Sequence, residues 1–483
     1  MKNLVISKKR LAKFIPLGLG LLGWLSGVLL SFSSSQIFGL NKLHPSNIPL
    51  ESLPQKSPVS SNLGTSLCSS SPLPRPILEN IKFFPSNKLS AHQAERKVIL
   101  GNEKLFTPSF LTKLKGLRIG LVVNQTSRLP QGEPLWEAMR RHNLELKAIF
   151  TPEHGLEAKS EAGRAVGNSS WREIPVYSLY GHRYRPSAQQ LAAVDVLIYD
   201  LQDVGTRFYT YITTLKYILE AGALHQKKII ICDRPNPLGG EKIEGPLLQP
   251  QFKSFISALP LPIRYGLTPG ELALMMKGEG WIPKEVELEI IPMDGWRRSY
   301  LWSDTGLPWI PTSPNIPHPE NAYLFPGLGL LGGLRINQGL GSDFPFLRLG
   351  APWLDPVLLQ KELSSLPAAA GLSLEPVDYI PQALPGKVLT PPFKNRLCHG
   401  LQIKVEEPSL IEPVNFTLHL IKVLKKYYPD KLNPTPTGLN RLFGSSLLYD
   451  YLRNKLSFDS LIKQIKDDTR QFDLKRRQYF LYH

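Results

Sequence analysis

The sequence predicts an α/β protein whose main domain is built on a parallel sheet. Short apolar runs at residues 117–123, 144–150, 194–199 and 228–232 read as buried strands. Helical spacing falls between the first and second runs, at 134–143, with Leu135, Trp136 and Met139 on one side. It returns between the third and fourth, at 209–226, with Ile212, Leu215, Ile218 and Leu219. Strands alternating with helices at this spacing imply parallel pairing with crossover helices. Each strand also stops in a polar cluster. The clusters are Asn124-Gln125-Thr126, Thr151-Pro152-Glu153-His154-Gly155, Asp200-Leu201-Gln202-Asp203-Val204-Gly205 and Asp233-Arg234-Pro235-Asn236-Pro237, with Glu244 close behind. Right-handed crossovers carry all four strand ends to one edge, where open α/β sheets bind ligands.

The composition supports more than one core: 483 residues, 42% hydrophobic and 20% charged. Lys2, Lys8, Lys9, Arg10 and Lys13 precede an uncharged apolar stretch at residues 14–32. That order is the layout of a secretory signal or an amino-terminal anchor, and the stretch is long enough to cross a hydrocarbon core of about 30 Å. The basic flank would stay in the cytoplasm. We therefore expect residues 1–35 to be a signal peptide or membrane anchor. The body would then be exported, periplasmic or held at the outer face of the cytoplasmic membrane. Residues 36–100 begin rich in Ser and Pro without periodicity and read as a disordered spacer.

The net charge of +17 comes without a basic patch interleaved with aromatics, so no nucleic-acid partner is expected. An anionic envelope polymer suits an exported basic protein better. Cys68, Cys232 and Cys398 form neither a disulfide framework nor a zinc site, and no metal is expected. Gly327-Leu328-Gly329-Leu330-Leu331-Gly332 spells G-x-G-x-x-G, but so do residues 18–23 inside the targeting stretch. Neither copy follows a strand and opens a helix. With no P-loop or nucleophile elbow either, no cofactor is expected.

The acids at the shared edge are Glu153, Asp200, Asp203, Asp233 and Glu244. Glycoside hydrolysis uses two carboxyl groups, one of them protonated at working pH. Structural roles compete: Asp203 can pair with Arg207 one turn on, and Asp233 can pair with Arg234 or cap a turn. Arg207 and Arg234 also suit a ligand carboxylate, which a guanidinium fork grips with two hydrogen bonds. Tyr177, Tyr180, Tyr209 and Tyr211 can stack on sugar rings or fill core and rim. Residues 156–171, rich in small and charged side chains, read as a functional flap. Beyond residue 307 a Pro-rich stretch and then a Gly-rich one lead into a second, mixed part with helices at 414–427 and 460–472.

Longer motifs carry a family resemblance. They are the Thr151–Gly155 cluster, Pro175-Val176-Tyr177-Ser178-Leu179-Tyr180-Gly181, the Asp200 cluster continued through Thr206-Arg207-Phe208-Tyr209-Thr210-Tyr211, and the Asp233 cluster. Glu244-Gly245-Pro246, Ser313-Pro314-Asn315, Gly350-Ala351-Pro352-Trp353 and a closing Arg476, Arg477, Tyr479, Leu481, Tyr482 complete the set. The chain resembles the exo-β-N-acetylmuramidases of the NamZ type, glycoside hydrolase family 171, formerly a domain of unknown function. The resemblance runs from about Leu117 to the carboxyl end.

It implies a Rossmann-like catalytic domain (101–310), a smaller carboxyl-terminal α+β domain (311–483) and an active site in the cleft between them. It also implies exo-acting release of terminal N-acetylmuramic acid from the non-reducing end of peptidoglycan fragments. Glu153 is implied as the catalytic acid, and Glu244 is our first choice for the second carboxylate. His154, Asn124, Asp203, Arg207, Tyr209, Asp233, Arg234 and Asn236 are the expected substrate contacts, with Arg207 or Arg234 on the lactyl carboxylate. The Gly-rich segment departs from the family pattern, Glu-Gly-Thr-Asn then Glu-Gly-Arg-Gly-Thr. It reads Gly332-Gly333-Leu334-Arg335 and Gln338-Gly339-Leu340-Gly341-Ser342. Two acids and an arginine are missing, so the alternative is a cell-wall saccharide-binding module with altered or lost catalysis.

Overall fold

A computed structural model describes residues 97–483 apart from Ala162 and Asn433. The expected signal or anchor and nearly all of the spacer lie outside these residues. Lys97 to Leu100, at the end of the expected spacer, are tied to the body: Lys97 N donates to Thr305 O and Ile99 bridges Asp294. The larger sheet has the order β3-β4-β2-β1-β5-β6-β7. Its strands are β1 (Arg118–Val123), β2 (Glu145–Thr151), β3 (Ser169–Trp171), β4 (Ile174–Ser178), β5 (Val196–Asp200), β6 (Lys228–Cys232) and β7 (Leu288–Ile291). All pairings are parallel except β3 with β4. The four apolar runs are the four central strands. The two in the middle are covered on both faces, which is why they read as continuous apolar runs.

Register sets the strand ends level. Val122 pairs with Phe150, Val123 with Asp200, and Tyr199 with Ile231. The chain steps outward from β1 to β2 and β4, then returns to β5 on the other side of β1. That reversal opens a crevice at the carboxyl ends of β1 and β5.

The smaller sheet is antiparallel, β8 (Arg348–Ala351), β10 (Cys398–Val405) and β9 (Leu372–Tyr379), in that order. Helix Pro319–Leu328 packs on helix Pro413–Tyr427 so closely that a Cβ on Gly327 would lie 2.0 Å from Pro413 O. One buried apolar cluster runs from Val122 and Ile212 beside the larger sheet to Leu420 and Phe472. The Gly-rich run ends that first helix and continues as a 3-10 turn, Gly329–Leu334. It follows no strand and opens no phosphate-binding helix. The carboxyl-terminal tail returns to the larger sheet. Arg476 Nη1 donates to Gly240 O (2.7 Å) and Gly266 O (2.6 Å). Among the described residues Cys232 and Cys398 are buried and free, and no helix is long and apolar enough to cross a membrane.

Candidate active site

Glu153 sits two residues beyond the end of β2 and is 8% exposed. Pro152 holds the preceding backbone out of the helical region. The next two residues turn the chain through the left-handed region, His154 at φ 75° and Gly155 at φ 78°. For a histidine that conformation is strained, and such strain gathers at functional turns. The turn brings the chain back over the glutamate at Gly163. Gly163 N donates to Glu153 Oε1 at 2.7 Å. Thr210 Oγ1 donates to Oε2 at 2.8 Å. Burial, then the nearby Glu153 carboxylate and a hydrogen bond to it, push the Tyr180 phenol well above its ordinary value. His154 is also buried, with Nδ1 2.6 Å from Ser160 O.

Thr210 occupies the N-cap position of helix Tyr211–Leu224, yet its hydroxyl caps no N–H of that helix. A capping threonine normally contributes about 1 kcal/mol to its own helix. Here the hydroxyl faces Glu153 instead. The flap is pinned at several points. Gly181, at φ 99°, lets Ala165 cross it where a Cβ would lie 2.4 Å away. On the opposite side Leu389 N donates to Glu161 Oε1 at 2.6 Å. Asn315 Nδ2 reaches Lys387 O (3.2 Å), and Gln125 Nε2 reaches Pro311 O (2.6 Å). The second half of the chain therefore meets the flap that covers Glu153, through Leu389.

The other expected residues lie at the same sheet edge but are engaged in holding it. Asn124 donates to Tyr211 OH and accepts from Thr126. Arg234 pairs with Asp200, through Nε at 2.5 Å and Nη2 at 3.0 Å, with both side chains buried. Arg207 does not pair with Asp203. It is fully buried and donates to Pro246 O, Leu261 O and Leu442 O, and burial lowers its guanidinium to about 9. The Arg207 fork is spent on carbonyls, and the Nε–Nη2 edge of Arg234 is taken by Asp200. Asp233 accepts from Arg234 N, Gly270 N, Thr268 Oγ1 and Tyr482 OH, so it anchors a helix start and the chain terminus. Asp203 accepts from Gly205 N and Tyr265 OH. Burial raises both of these aspartates to about 6. Asn236 fixes its own turn and fills the space beside Gly205, where a Cβ would meet its Oδ1 at 2.3 Å. Tyr209 packs between Tyr211 and Phe325.

Glu244 is placed elsewhere. Its Oε1 takes Arg264 Nη1 at 3.1 Å, and Oε2 takes Val414 N (2.9 Å) and Asn415 N (3.2 Å) at the start of helix Pro413–Tyr427. Burial raises this carboxyl. It borders a cavity of about 960 Å³ that includes neither Glu153 nor any residue hydrogen-bonded to it. Glu244 ties the two halves of the chain together, and nothing in this placement pairs it with Glu153. Sequence reasoning did not single out Thr210 or Gly163. The signal for Thr210 was a threonine at a helix start, which ordinarily means a cap.

Comparison with known proteins matches this architecture over nearly all the described residues. The family model for the N-terminal part of exo-beta-N-acetylmuramidase NamZ matches residues 119–320, and the model for its C-terminal part matches 323–482. The peptidoglycan beta-N-acetylmuramidase NamZ of Bacillus subtilis is 35% identical over 396 residues, covering 80% of this chain and 92% of that protein. Two crystal structures of DUF1343 family proteins from Bacteroides fragilis also match. One has a TM-score of 0.73 at 31% identity and covers 80% of this chain and all of that one. The second has a TM-score of 0.65 at 30% identity and covers 80% and 99%. The chain belongs to the exo-β-N-acetylmuramidase NamZ family.

Proposed function

We propose that this protein is an exo-acting β-N-acetylmuramidase that removes terminal N-acetylmuramic acid from peptidoglycan fragments, with Glu153 as its general acid. The observation that carries the role is the way Glu153 is held. Gly163 N donates to one carboxyl oxygen and the Thr210 hydroxyl to the other, so the group is fixed in place at the sheet edge with no cation on it. As the bond from the anomeric carbon to the glycosidic oxygen breaks, the Glu153 carboxyl gives a proton to the leaving oxygen. Water supplies the hydroxyl that completes the released sugar, and its remaining proton restores Glu153. Export belongs to the same reading, supported by the basic flank and apolar stretch at the amino terminus and by a substrate that lies outside the cytoplasm.

The test is Glu153→Gln on a natural disaccharide. General acid catalysis supplies about a hundred- to ten-thousand-fold in rate, about 3–5 kcal/mol of barrier. The variant should lose that much turnover and keep most of its sugar affinity. Turnover near the parent rate would end the assignment. An activated aryl leaving group needs little protonation and would not report on it. One observation favours the binding-module alternative: the departures from the family pattern cluster. A Cβ at Gly332 would lie 3.1 Å from Gln338 Nε2, and Gln338 Oε1 is enclosed without a partner among the described residues. Saccharide binding by the parent chain without any release of N-acetylmuramic acid would support that alternative.

A further inference from the structure

Of the arginines expected to receive the lactyl carboxylate of muramic acid, Arg207 is spent on carbonyls and Arg234 holds Asp200, so a less committed cation suits a muramic acid glycoside better. A cavity of about 580 Å³, lined by Val166, Asn168 and Tyr180 among others, lies within the size range of small-molecule sites. Tyr180 is shared: its hydroxyl faces Glu153 and its side chain lines the cavity. Val166 is shared too, lining the cavity while its Cγ1 lies 3.2 Å from where a Cβ on Gly155 would be. The remaining wall is polar and includes Asn168, Gln189 and Arg183.

The basic side chains that line this cavity are His182 and Arg183. The nearby Arg185 and Arg164 do not line it and are already paired, Arg185 with Glu220 at 2.5 Å and Arg164 with Glu161 at 3.4 Å. Arg183 has no acid within ion-pair distance among the described residues, and its planar fork matches a carboxylate. We propose that Arg183 receives the lactyl carboxylate in this cavity and so separates muramic acid from N-acetylglucosamine, which lacks the lactyl ether. The inference takes only the identity of the sugar from the muramidase reading.

Binding of free N-acetylmuramic acid and of free N-acetylglucosamine should be measured by calorimetry on the full chain and on Arg183→Gln. The parent should prefer N-acetylmuramic acid. Arg183→Gln should weaken that sugar by roughly ten- to a hundredfold, the scale of a charged hydrogen bond, and leave N-acetylglucosamine unchanged. Arg183→Lys should restore part of the loss. On muramic acid glycosides the same variant should raise KM and spare kcat. Arg183 is exposed, so its replacement should leave the melting temperature unchanged. Equal affinity of parent and Arg183→Gln for N-acetylmuramic acid would overturn the inference, and so would a parent that binds neither sugar. The two readings fail separately. A chain whose sugar binding depends on Arg183 but which never cleaves refutes only the muramidase. An active enzyme indifferent to Arg183 refutes only this subsite.

Discussion

Asp203→Asn should stabilise the protein above pH 6 and leave it unchanged or slightly weaker near pH 4. Asp203 is 4% exposed; Oδ2 takes Gly205 N at 2.7 Å and the Tyr265 hydroxyl, while Oδ1 is enclosed without a partner. Burial raises the group from 3.8 to about 6. Between those values the folded chain keeps a proton that the unfolded chain has released. Folding therefore loses stability as pH rises through the window, and regains it fully below about 4. A shift of about two units at about 1.4 kcal/mol each makes the loss about 3 kcal/mol. Asparagine offers Oδ1 to the same two donors and puts an amide where the orphaned oxygen lay. An enclosed N–H costs about 1 kcal/mol, leaving a gain of about 2 kcal/mol at pH 8. Asp233 titrates in the same window, so the parent curve holds both contributions and the difference between parent and variant isolates one. Thermal unfolding of both proteins from pH 4 to pH 8 measures it. Parallel curves, or a variant that loses stability at pH 8, would refute the reasoning. On this account Asp203 supports the sheet edge, so kcat should stay within about tenfold.

Thr210→Val removes the donor to Glu153 Oε2 without removing a helix cap, since the hydroxyl caps nothing. It should cost about 1–2 kcal/mol of transition-state stabilisation, read as kcat with KM unchanged, and Thr210→Ser should restore the rate; a valine variant at the parent kcat would refute the role. Glu244→Gln leaves Arg264 buried without its counter-ion and should destabilise folding by about 3 kcal/mol, with kcat per folded molecule unaltered. A Glu244→Gln protein that melts with the parent but turns over a hundredfold more slowly would return Glu244 to the chemistry.

The sequence made β1 and β5 legible because strands covered on both faces leave near-continuous apolar runs, and β2 and β6 because their carboxyl halves are buried and apolar. It missed β4, which carries Pro175, and β7, which has only four residues. Helix Pro269–Gly278 was also missed, although Thr268 and Glu271 form a complete capping box that the letters do show. The level strand ends followed from topology alone, and so did the placement of Glu153 among polar neighbours. What local letters could not show was which of those neighbours are already occupied. Asp203 and Arg207 are one helical turn apart in sequence and looked like a pair. Their partners instead come from Tyr265 and from the carbonyls of Pro246, Leu261 and Leu442. Arg234 looked available to a ligand until Asp200, ending a neighbouring strand, closed on it. A buried charge must be paired or hydrogen-bonded somewhere, and long-range packing decides where. Strand-end charges in this fold therefore divide by exposure. The fully enclosed ones, Asp200, Arg207 and Asp233, hold the edge together. The reacting group has to come from those left at its surface. Glu153 keeps 8% of its surface and is held by Gly163 N and the Thr210 hydroxyl, with no arginine or lysine on it. Glu244 keeps as much but is paired with Arg264, which leaves Glu153 as the most exposed of the acids at this edge that carry no cation.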